Sequence, residues 1–268
     1  MKKLKRFFGE SYLALILTLL YLPILVIIVF SFSGNSNFTF SQGFTFSAYV
    51  DIFTSSKTQT LLSALKNTLF IAITSSLIAT LLGTFAAVGM HYLGKRSKKL
   101  ALSVNQLPMV NSEIVMAVSL MIFFVTFSFP QGYVRLILGH ISFCTPYVVL
   151  SVMPRLAQMN PNLYEAALDL GVRPFKAMFK VIFPYVLPGV ISGFVMAFTL
   201  SMDDFIITQI NKGQTGIETL STYIYEDARL KSLEPFWFAI FSILFVVVLA
   251  LLLIANLKRS SKGKEVAV

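Results

Sequence analysis

Three carboxylates stand inside long apolar runs of this 268-residue chain: Glu113, Asp203 and Asp204. A carboxylate at mid-bilayer costs at least a few kcal/mol unless it meets water, a partner or a ligand. Residues of this kind are candidates for a polar path that attracts cations. Glu113 lies about a dozen residues into the run near 102–127, which at about 1.5 Å per residue puts it near mid-depth. Asp203 and Asp204 lie close to the outer end of the run near 185–207. Ser192, Thr199 and Asp203 recur at i, i+7 and i+11 and so share a helical face able to line a path, while Asp204 is turned about 100° from it. At most one aspartate can face that path squarely. Two plainer readings stay open: the aspartates cap a helix end in interfacial water, and Glu113 makes an interhelical hydrogen bond. No Lys or Arg sits near mid-depth, and acid outnumbers base between the fifth and sixth runs. That balance favours a cation over an anion.

Other chemistries are excluded by residue type. Gly89, Gly94 and Lys95 satisfy G-x-x-x-x-G-K, but Arg96 stands where a phosphate loop needs Ser or Thr for magnesium, and an apolar run precedes it where a strand belongs. The chain should therefore not hydrolyse ATP itself. A single Cys144 permits no internal disulfide and no cysteine-based metal site, and His91 and His140 are too few to replace it, so no metal site is expected. His140 reads as a packing or hydrogen-bonding residue, and Trp237 with the tyrosines near run ends as interface anchors.

The elements that must hold these residues are membrane spans. Hydrophobic residues make up 56% of the chain, charged residues 13%, and the mean hydropathy is +0.77, far outside the soluble range. An all-α integral membrane protein follows, with six transmembrane helices at about 12–32, 67–92, 102–127, 134–153, 185–207 and 235–256 in a single domain over 1–268. The segment MKKLKRFF before the first span has the layout of a signal peptide, but no small-x-small cleavage site follows, so a retained anchor is expected. Charge tests this topology independently of hydropathy. Lys2, Lys3, Lys5 and Arg6, then Lys95, Arg96, Lys98 and Lys99, then Arg155, Arg173, Lys176 and Lys180, then Lys258, Arg259, Lys262 and Lys264 fall in four alternate segments, 16 of the 22 basic residues. The positive-inside rule puts those segments and both termini in the cytoplasm. The formal charge of +10 is thus scattered between spans rather than gathered on a soluble face, which excludes a nucleic-acid surface. Gly189 and Gly193 form a GxxxG that favours close helix packing.

The longest polar interruption is 154–184, and its part NPNLYEAALDLGVRPFKAMFKVIFP reads as two short helices. Asn160 and Asn162 are good caps, and Glu165 stands at capping-box distance from Asn162. Leu163, Ala166, Ala167 and Leu170 make one small apolar face, Gly171 supplies a left-handed stop, and Pro174 opens the second helix. Pro184 marks a break before the next span. On these residues alone, the pair could simply lie in the lipid interface.

Glu165, Ala166, Ala167, Gly171, Ile182 and Pro184 reproduce, with its spacing, the EAA loop of bacterial ABC-importer permeases, which this stretch resembles. The resemblance implies a type I importer permease of the bacterial inner membrane whose loop docks on a separate ATPase through Glu165, Ala166, Ala167, Asp169, Gly171, Phe175, Lys180, Ile182 and Pro184. ATP and Mg would then be bound by a pair of partner ATPase subunits, and this chain would carry no cofactor. SMDDFIIT at 201–208 and PMVNSEIVMAVSL at 108–120 also resemble the spermidine/putrescine permeases of that class. What this implies is polyamine translocation past Asp203, Asp204, Glu113 and Thr199, a second homologous permease subunit, and a periplasmic polyamine-binding protein. Alternatives are a permease for another cationic or neutral solute and a secondary transporter. The latter predicts internal repeats or paired broken helices, and the sequence shows neither convincingly.

Overall fold

A computed structural model describes residues 2–35, 40, 43–160, 162–231, 234–247 and 249–250. Among them every regular element is helical. A bilayer leaves backbone groups no other partner, so long apolar runs must satisfy their own hydrogen bonds. The chain divides into two compact units, residues 1–61 with 224–268 and residues 62–223.

Among the described residues four helices are long and apolar enough to cross a membrane: Ser11–Phe30 within α1 (Lys2–Phe30), α3 (Lys57–His91), α6 (Tyr133–Gln158) and the continuous run Pro174–Asp203. That run comprises α8 (Pro174–Ala177), a π-helical turn Met178–Ile182 and α9 (Phe183–Asp203). α4 (Lys95–Val110) and α5 (Glu113–Thr126) make a fifth crossing if the bent pair counts as one span. The helix Pro235–Val247 is apolar but shorter. The far end of the expected sixth span, the basic tail 258–264 and Pro161 lie outside the described residues.

In the unit 62–223, α6 is the hub. Its Cys144, Val148, Val149, Val152 and Leu156 are fully buried against Ala79 and Ala87 of α3, and against Ile182, Val186 and Ala197 of the Pro174–Asp203 run. Close approach depends on glycine. A Cβ on Gly83 would lie 2.7 Å from Val148 Cβ, and one on Gly189 would lie 3.0 Å from the Ser151 carbonyl oxygen. Gly193 meets Val148 in the same way, so the GxxxG face of α9 packs on α6. α7 (Asn162–Asp169) leads from α6 to α8, and α10 (Ile206–Asn211) follows α9.

Three features differ from the expected spans. The third span is not one helix: Asn111 and Ser112 are both extended, and α4 and α5 meet at 103°. Short polar side chains compete for backbone groups and favour such caps over helix interior. The fifth span does not run through 207, because Asp204 is extended, with φ −62° and ψ 134°, and ends α9. Nor does the chain break at Pro184. A π turn precedes it, in which the Phe183 N–H donates to Met178 O, five residues back, and the helix runs on through the proline.

In the unit 1–61 with 224–268, α2 (Ser47–Thr54) sits with an aromatic group in which Phe32 is 5.4 Å from Phe46 and 5.3 Å from Tyr49 between ring centroids. Lys57 Nζ donates to Asp227 at 2.7 Å and Glu234 at 2.6 Å. Asp227 belongs to α11 (Leu220–Lys231) and also accepts the Trp237 indole N–H at 2.7 Å. Trp237 is therefore fully buried rather than an interface anchor. With its one donor met by a carboxylate, the ring has no need of interfacial water.

Candidate functional site

The break after α9 and the first turn of α5 enclose a cleft of about 270 Å³. Glu113, Thr199, Asp203 and Asp204 all line it, with Phe143 and Phe205. All four residues expected on the path are thus brought to one place, although they come from α5, α9 and the break. Glu113 opens α5, where the partial positive charge of a helix N-terminus favours a carboxylate. It is exposed, as are Ser192, Thr199 and Asp203 along α9. The Thr199 hydroxyl donates to Val195 O of its own helix at 2.8 Å, which leaves its lone pairs for the cleft.

The two adjacent aspartates differ sharply. Asp204 has a side chain only 3% exposed and is saturated with donors. Its Oδ1 accepts the Ile207 N–H at 3.1 Å, and its Oδ2 accepts both the N–H and the hydroxyl of Thr208, each at 2.9 Å. From the position before the N-cap residue Phe205, its side chain thus satisfies free amides in the first turn of α10. The 100° rotation expected between the aspartates presupposes an unbroken helix, and the extended backbone at Asp204 replaces it with a cap. Behind the cap lies His140, whose Nε2 is 3.1 Å from Thr208 Oγ1 and whose Nδ1 is 2.7 Å from Ser201 Oγ. Ser201 Oγ in turn is 3.0 Å from Ser75 Oγ of α3. Sequence reasoning missed this network as a unit. Its legible trace is Asp204 with the Thr208 hydroxyl one helical turn on, beside Ser201 in an otherwise apolar run. Among the described residues no three His, Cys, Asp or Glu side chains converge to hold a metal ion.

The second candidate region is 160–184. Asn160 Oδ1 accepts the Asn162 N–H at 3.0 Å and caps α7. Gly171, at φ +78°, closes it: its N–H reaches Leu168 O at 2.8 Å, and the Val172 N–H reaches Ala167 O at 3.1 Å. This is the paired bonding of a left-handed helix stop, which only glycine makes without strain. α7 buries no residue. Glu165, Ala166, Asp169, Lys180 and Pro184 are exposed, Ala167 is half-buried, and Ile182 is buried in the core. The apolar face of α7 is not covered by the chain itself, since Leu170 is 84% exposed and Phe175 just beyond it 72%. Alongside runs an apolar groove of about 420 Å³ bounded by Val88, Tyr92, Tyr164, Phe175 and Met178.

Residues 79–263 match the family of the binding-protein-dependent transport system inner membrane component. The chain belongs to this family. It is an inner-membrane permease of an ABC importer, a multi-pass and non-catalytic transport subunit. The permease is 32% identical to the spermidine/putrescine transport system permease protein PotC of Escherichia coli K12 over 97% of its own length and 96% of the relative's. It is 29% identical to PotC of Haemophilus influenzae over 95% of this chain and 97% of that one. The putrescine transport system permease protein PotI of Escherichia coli K12 is 31% identical over 80% of this chain and 77% of its own. Among solved structures, a bacterial ABC transporter that imports the acidic polysaccharide alginate superposes with a TM-score of 0.64 at 18% identity, covering 97% of each chain. The alginate transporter in complex with a pentasaccharide-bound periplasmic protein gives a TM-score of 0.62 at 19% identity over 95% of each. The permease therefore has the ABC-importer permease fold, and permeases of this fold assemble with an ATPase and a periplasmic binding protein.

Proposed function

We propose that this permease translocates polyamines of the spermidine and putrescine type into the cytoplasm, and that the cleft at the α9 break is part of the route. The observation that carries the reading is the convergence of Glu113, Asp203 and Thr199 with Phe143 and Phe205 in one cleft. A polyamine is a chain of methylenes carrying separated ammonium groups. Carboxylates attract the ammonium groups, ring faces add cation–π attraction of about 0.5–2 kcal/mol, and the same rings cover the methylenes. Exposed, uncaged carboxylates hold such a cation weakly, as release demands. The family relatives named for spermidine and putrescine support the same choice.

The rest of the architecture follows the type I importer plan. The chain is one permease domain over 1–268 with six spans, the bent α4–α5 pair serving as the third and 235–256 as the sixth, and both termini are cytoplasmic. It forms half the wall of the path, and a second homologous permease forms the other half. The loop 154–184 is the coupling surface, on which Glu165, Ala166, Ala167, Asp169 and Gly171 meet one of two ATPase subunits, with Phe175, Lys180, Ile182 and Pro184 backing the contact. Those subunits bind ATP and Mg. A periplasmic polyamine-binding protein delivers the substrate.

Uptake of radiolabelled spermidine by the complete importer in proteoliposomes tests this. Asp203→Asn and Glu113→Gln together should lower uptake at least about tenfold, the equivalent of 1.4 kcal/mol, while the yield of assembled complex stays unchanged. Equal loss of uptake and of assembly would assign both carboxylates to structure instead.

A further inference from the structure

We infer that His140 is a positioning residue that sets the geometry of the cleft, acting through Asp204 and α10 rather than on the substrate. The inference rests on the reading of the cleft given above and extends it to a side chain that does not line the cavity. His140 of α6 is 1% exposed and bonds two other elements, α9 and α10. The Thr208 hydroxyl spends its one hydrogen on Asp204 Oδ2, so at His140 Nε2 it can only accept. The imidazole must therefore carry a hydrogen on Nε2 and donate it to Thr208. Its other nitrogen holds Ser201 on α9, and through Ser201 it reaches Ser75 on α3. The ring thus ties the last turn of α9 to the first turn of α10 across the extended Asp204.

What this achieves lies further along α10. Asn211 Nδ2 donates to Ala117 O of α5 at 3.2 Å, so α10 is fastened to the helix whose first turn carries Glu113. The direction that α10 takes after the break sets where α5 sits, and hence where Glu113 stands opposite Asp203. If α9 ran straight on, α10 would leave α5 and Phe205 would leave the cleft. The Asp203 side chain makes no hydrogen bond or ion pair among the described residues. Asp203 thus offers its carboxylate to the cleft, Asp204 anchors the break, and His140 keeps the two roles separate.

The test uses the complete importer in lipid with His140→Leu, which keeps the volume and removes both hydrogen bonds, and His140→Gln, which keeps a donor near the Nε2 position. His140→Leu should lower spermidine uptake about tenfold with assembly and basal ATP hydrolysis unchanged, and His140→Gln should recover most of it, because small displacements of positioned groups cost that much. Adding Asp203→Asn to His140→Leu should lower uptake little further, since residues acting as one unit are not additive. Wild-type uptake by His140→Leu, or multiplicative losses in the double variant, overturns the inference. A separate readout needs no substrate: the distance between spin labels at Glu113→Cys and Asp203→Cys, in a Cys144→Ser background. One narrow distance that broadens with His140→Leu and narrows again with His140→Gln upholds the clamp even if Asp203→Asn proves harmless to uptake, which would sink the polyamine route alone. A distance indifferent to His140 removes the clamp.

Discussion

α7 and the α9–α10 break both put polar residues between apolar helices, and they do so by opposite means. α7 keeps its polar groups in water. It buries no residue, Asn160 and Gly171 close its ends, and the bonds that define it lie within 160–172. The break takes its polar groups inside, where Asp204, His140, Ser201 and Thr208 bond one another across α6, α9 and α10. A surface kept open for a partner can be changed without touching the fold, whereas a buried polar network loses stability when its shared acceptor is removed. The adjacent pair Asp203 and Asp204 sits on the boundary between these regimes.

The largest effect should come from Asp204→Leu. It leaves two N–H groups and one hydroxyl buried without an acceptor, and each unsatisfied buried group costs roughly 1–3 kcal/mol. Thermal denaturation in detergent should show this variant failing well below wild type, with Asp203→Asn beside it unchanged. Equal stability of the two would erase the distinction. Next comes Glu165→Lys on exposed α7. Stability should shift by no more than about 0.5 kcal/mol, since the site has no buried contact to lose. Hydrolysis stimulated by loaded binding protein should nonetheless fall at least about tenfold, as expected for charge reversal at the centre of an interface. Full stimulation would remove α7 from the coupling surface. The smallest effect belongs to Gly171→Ala. No atom lies within 4 Å of the added Cβ, so only the left-handed backbone resists, at about 1 kcal/mol. Coupled hydrolysis should fall a few-fold, and a loss as deep as that of Glu165→Lys would mean that Gly171 itself touches the ATPase.

The same contrast explains what the sequence alone could disclose. The ends of α7, the left-handed glycine and the long apolar helices depend on neighbours a few residues away, and they stand where the spacing puts them. The GxxxG face of α9 was legible because close packing needs small residues wherever it occurs. The bend between α4 and α5 and the end of α9 at Asp204 rest on short polar side chains that hydropathy does not register, and the burial of Trp237 depends on a partner on another helix. Nothing near Trp237 announces that Asp227 will accept its N–H, and the hydropathy of 185–207 does not register that Asp204 finds three donors beyond it. Pro184 misled for a related reason. A proline ordinarily stops a helix, but here the helix runs on through it after the π turn at 178–182. The four cleft residues could be picked out singly as polar groups in apolar runs, but not the break that brings them together.

The proposed function couples a partner's ATP hydrolysis to polyamine passage through this permease. The most direct measurement is ATP hydrolysis by the complete complex in lipid nanodiscs, with the binding protein loaded in turn with spermidine, putrescine or a neutral solute, for wild type and Glu165→Lys. One or both polyamines should stimulate hydrolysis, the neutral solute should not, and Glu165→Lys should lose the stimulation. An assembled, hydrolytically active complex that no polyamine stimulates would contradict the proposed function.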